Sequence, residues 1–576
     1  MADAEFDLIV RNGFVVDGTG LPRRRVDVGV RDGKVAKLGH LEGRTAVEVI
    51  DADGMIVAPG IVDVHTHYDP QITFDPYATM SCFHGVTTVV AGNCGFSVAP
   101  VRAADRAFIE GIFAAVENMD PIALSGVRWD EAESFPAFLE SRRGRLGINF
   151  ACYIGHSNLR VQVMGSDAAV SRAATPAEVD AMRALLADAM QAGAAGVSSS
   201  AAPTHLDIAG RPVPSRFAEH DELLALAEEV GRYGSGSVAY LPFSAIGGID
   251  KDDEDFLIAL AKASGLPVVI QGLGGRNKTD APTATWEASV DFLERATAEG
   301  APVYSMLISR PFDRRVVIGP ENLHYLSVAS WVHMLGLPHA ERVALLRDPR
   351  ARDELRSAVE HYNRDPAKGT TNPPPRWCDV YVDHVALAEH RDLEGLSIEE
   401  LAAKEERAPA DVMLDLALSE DLATEFRWRT ESPEWTDAVR TAQRDPRMII
   451  GISDGGAHLA RDDGADWSSY FLRRWVLDRG VWSLEEGIRQ ITQVPATVVG
   501  LADRGVLAVG KWADMMVFDP ETIGPWKKEF VRDLPGNVGR FKAWGQGVKA
   551  TVVNGQPIVV DGELTGRLPG HVVRPS

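Results

Sequence analysis

The 576-residue sequence is poor in cysteine, in positive charge and in long apolar runs, and each shortage removes a class of protein. Four cysteines (Cys82, Cys94, Cys152, Cys378) are too few and too scattered for a disulfide framework, so the fold has to rest on its core. Lysine and arginine number 59 against 82 aspartates and glutamates, a net charge of -23. That balance argues against nucleic acid or an anionic membrane as partner, since both need a basic face. No apolar stretch approaches the ~20 residues of a membrane span. The opening residues, MADAEFDLIV, have neither a basic n-region nor an apolar h-region, so no signal peptide is expected and the reading is cytoplasmic and reduced. What is present is an ordinary globular composition, 45% hydrophobic and 24% charged, in a chain long enough for several structural units.

Both ends read as short strands and turns. Residues 6–18 (FDLIVRNGFVVDG) and 549–562 (KATVVNGQPIVVDG) each give strand, Asn-Gly turn, strand, which suggests one small sheet domain built from residues 1–58 and 504–576. Between them strands alternate with helices. Candidate strands are 56–67, 86–94, 147–156, 194–200, 236–241, 266–272, 301–307 and 447–454. Thr175-Pro176-Ala177-Glu178 is a capping box with proline at the first helical position, and Gly193 is the matching stop; Ser483-Leu484-Glu485-Glu486 opens a later helix in the same way. Eight strand–helix units suit a (β/α)8 TIM-like barrel, here residues 59–309 and 441–503; the alternative is an open doubly-wound sheet, but no Gly-rich phosphate loop follows the first strand. Residues 310–440, between strands seven and eight, are too long for an ordinary connection. With helical stretches over 339–362 and a turn at Asn372-Pro373-Pro374-Pro375, they read as an insertion over the barrel mouth.

The chemistry-bearing residues collect at strand ends. In Pro59-Gly60-Ile61-Val62-Asp63-Val64-His65-Thr66-His67 the two histidines are two apart, so on a strand they project side by side and can grip one metal ion. Two satisfied surface histidines are the bland alternative. Asp454, in Met448–Gly456 (MIIGISDGG), ends the last strand, where a carboxylate can both ligate a metal and take a proton from water; an N-cap role competes, because Gly-Gly follows. Cys94, in Gly92-Asn93-Cys94-Gly95, is either a buried structural cysteine or a thiolate ligand beside His65 and His67.

These segments resemble the amidohydrolase superfamily, and within it the D-aminoacylase (N-acyl-D-amino-acid deacylase) branch. The resemblance runs through RNGFVVDGTG, APGIVDVHTHYD, VTTVVAGNCGFSVAP, GHSNLR, SDGGAH and RGVLAVGKWADMMVFD. It implies a TIM-like barrel with a β-sandwich, divalent metal at the barrel mouth, usually zinc, and water activated on that metal attacking an amide carbonyl. It assigns His65 and His67 as first-strand ligands, Cys94 as the metal-bridging cysteine and Asp454 as the catalytic base. The chain also departs from the pattern. Strand five reads Ser237-Val238-Ala239-Tyr240-Leu241-Pro242 and strand six Val269-Ile270-Gln271-Gly272-Leu273-Gly274, with no histidine in either and no lysine after strand six. One divalent ion per chain, most simply Zn2+, is therefore expected, held by His65, His67, Cys94 and Asp454, and D-specificity is not inherited.

Around that site His156 and Arg160 of GHSNLR, His220 at a helix start, Tyr240, Gln271 and His458 of SDGGAH are the candidate substrate contacts, with Tyr240 and Gln271 expected to face the cavity as hydrogen-bond donors. For His220 a solvated first-turn residue is the competing reading. The remaining histidines read as surface. Three functions stay open. One is a metal-dependent deacylase of an N-acyl amino acid or related small-molecule amide; the second is the same machinery on a cyclic amide, carbamate or xenobiotic amide; the third is a barrel that has lost hydrolysis and binds without turnover. Homo-oligomer formation is left open as well.

Overall fold

The computed structural model of the chain describes residues 4–246, 249–271, 285–311, 314–320, 322, 325, 328–361, 374–429, 431, 433–460 and 462–576. Eight strands follow one another in chain order, each parallel to the last. They are β1 (Ile61–Asp63), β2 (Val86–Ala91), β3 (Asn149–Cys152, resumed at Ile154–Gly155), β4 (Gly196–Ser200), β5 (Ser237–Leu241), β6 (Val268–Gln271), β7 (Val303–Leu307) and β8 (Met448–Ile450). The first half of β3 pairs with β2 and its second half with β4. Past the ends of β1 and β8, Thr66 and Gly455 form a parallel bridge. The strands are buried on both faces and rich in β-branched residues, as in VTTVVA of β2, the composition expected of a parallel sheet covered by helices. One core cluster takes Val62, Val90, Ala151, Ala239, Val269, Met306 and Ile449 from seven of these strands, with Ala195 from the start of the remaining one.

Helices α1 (Arg106–Val116), α2 (Pro176–Ala192), α3 (His220–Gly231) and α4 (Lys251–Ser264) lie between consecutive strands. The start and stop signals of α2 act as read. The Thr175 side chain accepts from the Glu178 amide, Glu178 reaches back to the Thr175 amide, and Gly193 ends the helix at φ 111°. Ser483 likewise caps Leu484–Ile491.

The two ends of the chain do meet. Strand Met515–Phe518 runs antiparallel to Ile56–Pro59 in a seven-stranded sheet that also holds Phe14–Val15, Val548–Val553 and Gln556–Val560. A four-stranded sheet of Phe6–Arg11, Asp27–Arg31, Lys34–Gly39 and Ala46–Asp51 shares a core with it through Val10, Val30, Val57, Met515 and Val552. The two Asn-Gly pairs behave differently. Asn554-Gly555, with φ of 46° and 77°, closes a two-residue hairpin between Val553 and Gln556. At Asn12-Gly13 only the asparagine takes a positive φ, and the flanking strands go to different sheets. A Cβ on Gly13 would stand 2.5 Å from Val57 Cγ2, so that glycine serves close packing of the chain rather than a hairpin turn.

A second compact unit is built on Pro311–Thr436. It has its own core around Tyr325, Trp331, Met413 and Phe426, and its own antiparallel sheet of Arg314–Val316, Glu425–Trp428 and Val380–His384. The helical stretch expected at 339–362 is two helices, His339–Leu346 and Pro349–Glu360, broken where Asp348 caps the second and proline starts it. Asn372 and Pro373 of the proline turn lie outside the described residues.

Candidate metal centre

His65 and His67 sit just past β1, buried at 2% and 1% exposure. Their rings meet edge to face with centroids 5.4 Å apart, and Phe96 stacks on His67. Cys94 reaches them from the turn after β2, where its own backbone takes φ 59° and Gly92 passes too close to the Tyr153 carbonyl to carry a Cβ. The three ligand atoms of His65, His67 and Cys94 lie within 4.8 Å of one another, with Cys94 Sγ 3.6 Å from His65 Nε2.

Asp454 arrives from the far end of the chain. The segment behind β8 is held by the His67 amide, which donates to the Gly455 carbonyl at 2.7 Å, and by Ser453 Oγ, which accepts from the Gly455 amide. A Cβ on Gly455 would meet the Tyr68 ring at 2.5 Å and one on Gly456 the His67 carbonyl at 2.6 Å, so the Gly-Gly pair is what lets the segment lie against the two histidines. Asp454 itself is held at φ 53°, and its Oδ1 stands 3.4 Å from His65 Nε2 and 3.7 Å from His67 Nε2.

Without a cation, His65, His67 and Cys94 are each held toward their neutral forms. Burial, reinforced by His205, brings His65 down to about 3, and burial with the neighbouring histidines holds His67 well below the ordinary imidazole range. Burial, Glu117 and Asp454 push the Cys94 thiol up. Burial raises Asp63 and Asp69, close by, to about 7 each. Yet both ring nitrogens of His67 and Nδ1 of His65 are buried with no hydrogen-bond partner, which is costly for polar atoms. Neutral imidazoles, a thiol and a carboxylate at these spacings fit a divalent ion, which would stabilise thiolate and carboxylate and reverse the local preference.

The other expected contacts scatter. His156 and Arg160 are fully buried and already engaged. His156 Nδ1 meets Ser199 Oγ at 2.9 Å and Nε2 meets Glu222 Oε1 at 2.8 Å, while Arg160 binds both oxygens of Glu222 and the Arg172 carbonyl. Neither ring nitrogen of His156 is left for a substrate, so this motif braces α3 against β4. His220, exposed at the start of α3, stacks on Phe256 of α4 with centroids 3.7 Å apart, and is not part of the cluster. Tyr240 was expected to face the cavity. It is instead aligned with Ser199 and Ile270, on the opposite side of the strand from core residue Ala239, and packs edge-on against Phe256. Gln271 ends β6, but its side chain lies outside the described residues. His458 does approach the cluster: its amide donates to the Glu117 carbonyl at 2.7 Å and Nε2 lies 3.7 Å from Glu117 Oε2.

Two nearby groups escaped the sequence reading. His205 is buried, not on the surface, with Nδ1 2.8 Å from Ser200 Oγ and its ring edge-on to Phe96. Glu117, just past α1, is 3% exposed, with Oε1 3.5 Å from His67 Nε2. A lone glutamate ending a helix carries no local signal of burial, and no strand end announces it.

The amidohydrolase family's sequence pattern matches residues 48–559. The chain belongs to the amidohydrolase family. Relatives include the D-aminoacylase of Alcaligenes xylosoxydans xylosoxydans, 26% identical over 99% of this chain and 97% of the relative. The N-acyl-D-glutamate deacylase of the same organism is 29% identical over 90% and 88%. Among solved structures, the N-acyl-D-glutamate deacylase of Bordetella bronchiseptica, complexed with zinc and a phosphonate inhibitor, superposes with a TM-score of 0.62 at 24% identity, covering 99% of each chain. The amidohydrolase fold, with its mixed α/β content, is therefore shared along the whole chain, and the relatives place it in the D-aminoacylase branch, among hydrolases of carbon–nitrogen bonds other than peptide bonds.

Proposed function

We propose that this amidohydrolase is a metal-dependent deacylase of linear N-acyl amino acids, with one zinc ion held by His65, His67, Cys94 and Asp454. The observation that carries the reading is His67, whose two ring nitrogens are buried without a hydrogen-bond partner and whose Nε2 faces carboxylate oxygens of both Glu117 and Asp454, an arrangement that a bound cation would satisfy. When bound, such an ion supplies a Lewis acid that polarises the amide carbonyl and acidifies water. Asp454 takes the proton as water adds to the carbonyl carbon, and returns it to the amide nitrogen as the C–N bond breaks, leaving a free amine and a carboxylic acid. His458 and Gln271 remain candidates for holding the substrate.

A cavity of about 380 Å³ supports an apolar acyl group. It is lined by Phe74, Ile122, Leu124, Leu459 and Phe530, and it begins at Gln71, Asn118 and Gly456, each next in the chain to the cluster or a few residues from it. Arg532 in the same lining supplies a positive charge for a carboxylate. The same reading treats the eight parallel strands as a closed (β/α)8 barrel and the two terminal sheets as a β-sandwich.

The test is a panel of amides offered to the zinc-loaded chain, with amine release measured. N-acyl amino acids of both configurations should be cleaved, those with apolar acyl groups fastest. Cleavage confined to cyclic amides or carbamates would support the second reading. No cleavage of any amide by a metal-loaded chain would leave a binding protein.

A further inference from the structure

We propose that Glu117 is itself a metal ligand, giving a carboxylate oxygen to the ion that His67 holds; the inference rests on the metal-dependent reading above. Glu117 Oε1 stands 3.5 Å from His67 Nε2, outside the 2.7–3.2 Å range of hydrogen bonds, and that nitrogen has no hydrogen-bond partner. Two neighbouring donors bound to one zinc ion at about 2.0–2.3 Å stand about 3–3.7 Å apart, and beside His65, His67, Cys94 and Asp454, Glu117 would be a fifth donor, a number zinc also adopts. The Glu117–His67 separation therefore matches that of Cys94 Sγ from His65 Nε2, 3.6 Å, and of Asp454 Oδ1 from the same nitrogen, 3.4 Å.

The face of the ring decides between a ligand and a supporting carboxylate. A carboxylate that merely orients a ligating histidine binds the ring nitrogen turned away from the metal. Glu117 instead approaches Nε2, the nitrogen that Asp454 Oδ1 also approaches, at 3.7 Å. Among the described residues no lysine or arginine pairs with Glu117; its second oxygen faces His458 Nε2. A carboxylate 3% exposed stays ionised only where a cation offsets its lost hydration, and an ion between it and His67 would do so. The position is also fixed from outside, because the Glu117 carbonyl accepts the His458 amide at 2.7 Å, tying the end of α1 to the segment that carries Asp454.

Two measurements on the full-length chain test this. After chelator stripping, zinc is titrated into the wild type and Glu117→Gln in competition with a chromophoric chelator, and the zinc K-edge absorption of each is recorded. Glu117→Gln should bind zinc at least about 10-fold more weakly and show altered oxygen and nitrogen coordination, with an unchanged circular dichroism spectrum. In parallel, crystals of the zinc-loaded wild type, which need no variant to fold, should place an anomalous peak within about 2.0–2.2 Å of a Glu117 oxygen. Equal affinity and an unchanged first shell in the variant, or a zinc ion bound by the other residues with Glu117 out of reach, would overturn this inference alone. A wild-type chain that takes up no zinc would overturn it together with the proposed function.

Discussion

Asp454 and Tyr240 both stand near strand ends, yet only Asp454 reaches the histidines. Asp454→Asn keeps the size of the side chain but cannot accept a proton, so turnover of a cleaved amide should fall by at least about 10²–10⁴-fold with an unchanged circular dichroism spectrum; near-wild-type kcat would put the base elsewhere. Tyr240→Phe should change kcat/KM by less than about 3-fold, because the hydroxyl stands on the helix side of β5 and removing it touches no substrate. A drop of 10-fold or more would return Tyr240 to the cavity. Glu222 offers the complementary case. Glu222→Gln strips the charge from between His156 and Arg160, both wholly buried, and should cost about 3 kcal/mol of stability, read as a lower thermal midpoint with the zinc content of the wild type. Loss of zinc without loss of stability would show that GHSNLR belongs to the site after all.

At the scale of elements, the sequence announced those with local punctuation. The capped helix over Pro176–Ala192 and the Asn554-Gly555 hairpin were legible because each signal acts within a few residues. The long hairpin of Gly524–Leu534 and Val538–Gln546 was not. It docks through contacts remote in sequence, Phe541 donating its amide to the Leu459 carbonyl and Ala543 to Asp463 Oδ2, and it supplies Phe530 and Arg532 to the cavity. In the second unit, Glu420 accepts from the amides of Ala386 and Leu387 and from Thr424 Oγ1, and meets His390 Nδ1 at 2.8 Å. Burial raises its pKa, but these hydrogen bonds win and bring it to about 2. A depressed carboxylate stabilises the fold above its unfolded pKa of about 4.3, and that stability is lost as pH falls through the window from there to about 2. Urea unfolding of the wild type and Glu420→Gln should therefore differ by roughly 2–3 kcal/mol at pH 7 and converge near pH 2. A difference that persists undiminished at low pH would assign the effect to packing instead.

For the whole molecule, the order of parallel strands and the convergence of both chain ends on one sheet were readable from periodicity and from the repeated end pattern. So was the gathering of His65, His67, Cys94 and Asp454, since each lies near a strand end and has a histidine or glycine within two residues of it in the sequence. Glu117 and His205 were not, because they come from loops and helix ends where a charged residue is the default and burial is decided by tertiary packing. No helix among the described residues is long and apolar enough to cross a membrane, and none of the four cysteines forms a disulfide, in keeping with a fold held by its core and, on this account, by one ion. Elemental analysis of the chain purified from zinc-replete expression, beside the His65→Ala/His67→Ala double variant, tests that claim most directly. The account predicts about one zinc per chain in the wild type and none in the folded variant. Two equivalents in the wild type would contradict the single site, and zinc retained in full by the variant would contradict the location.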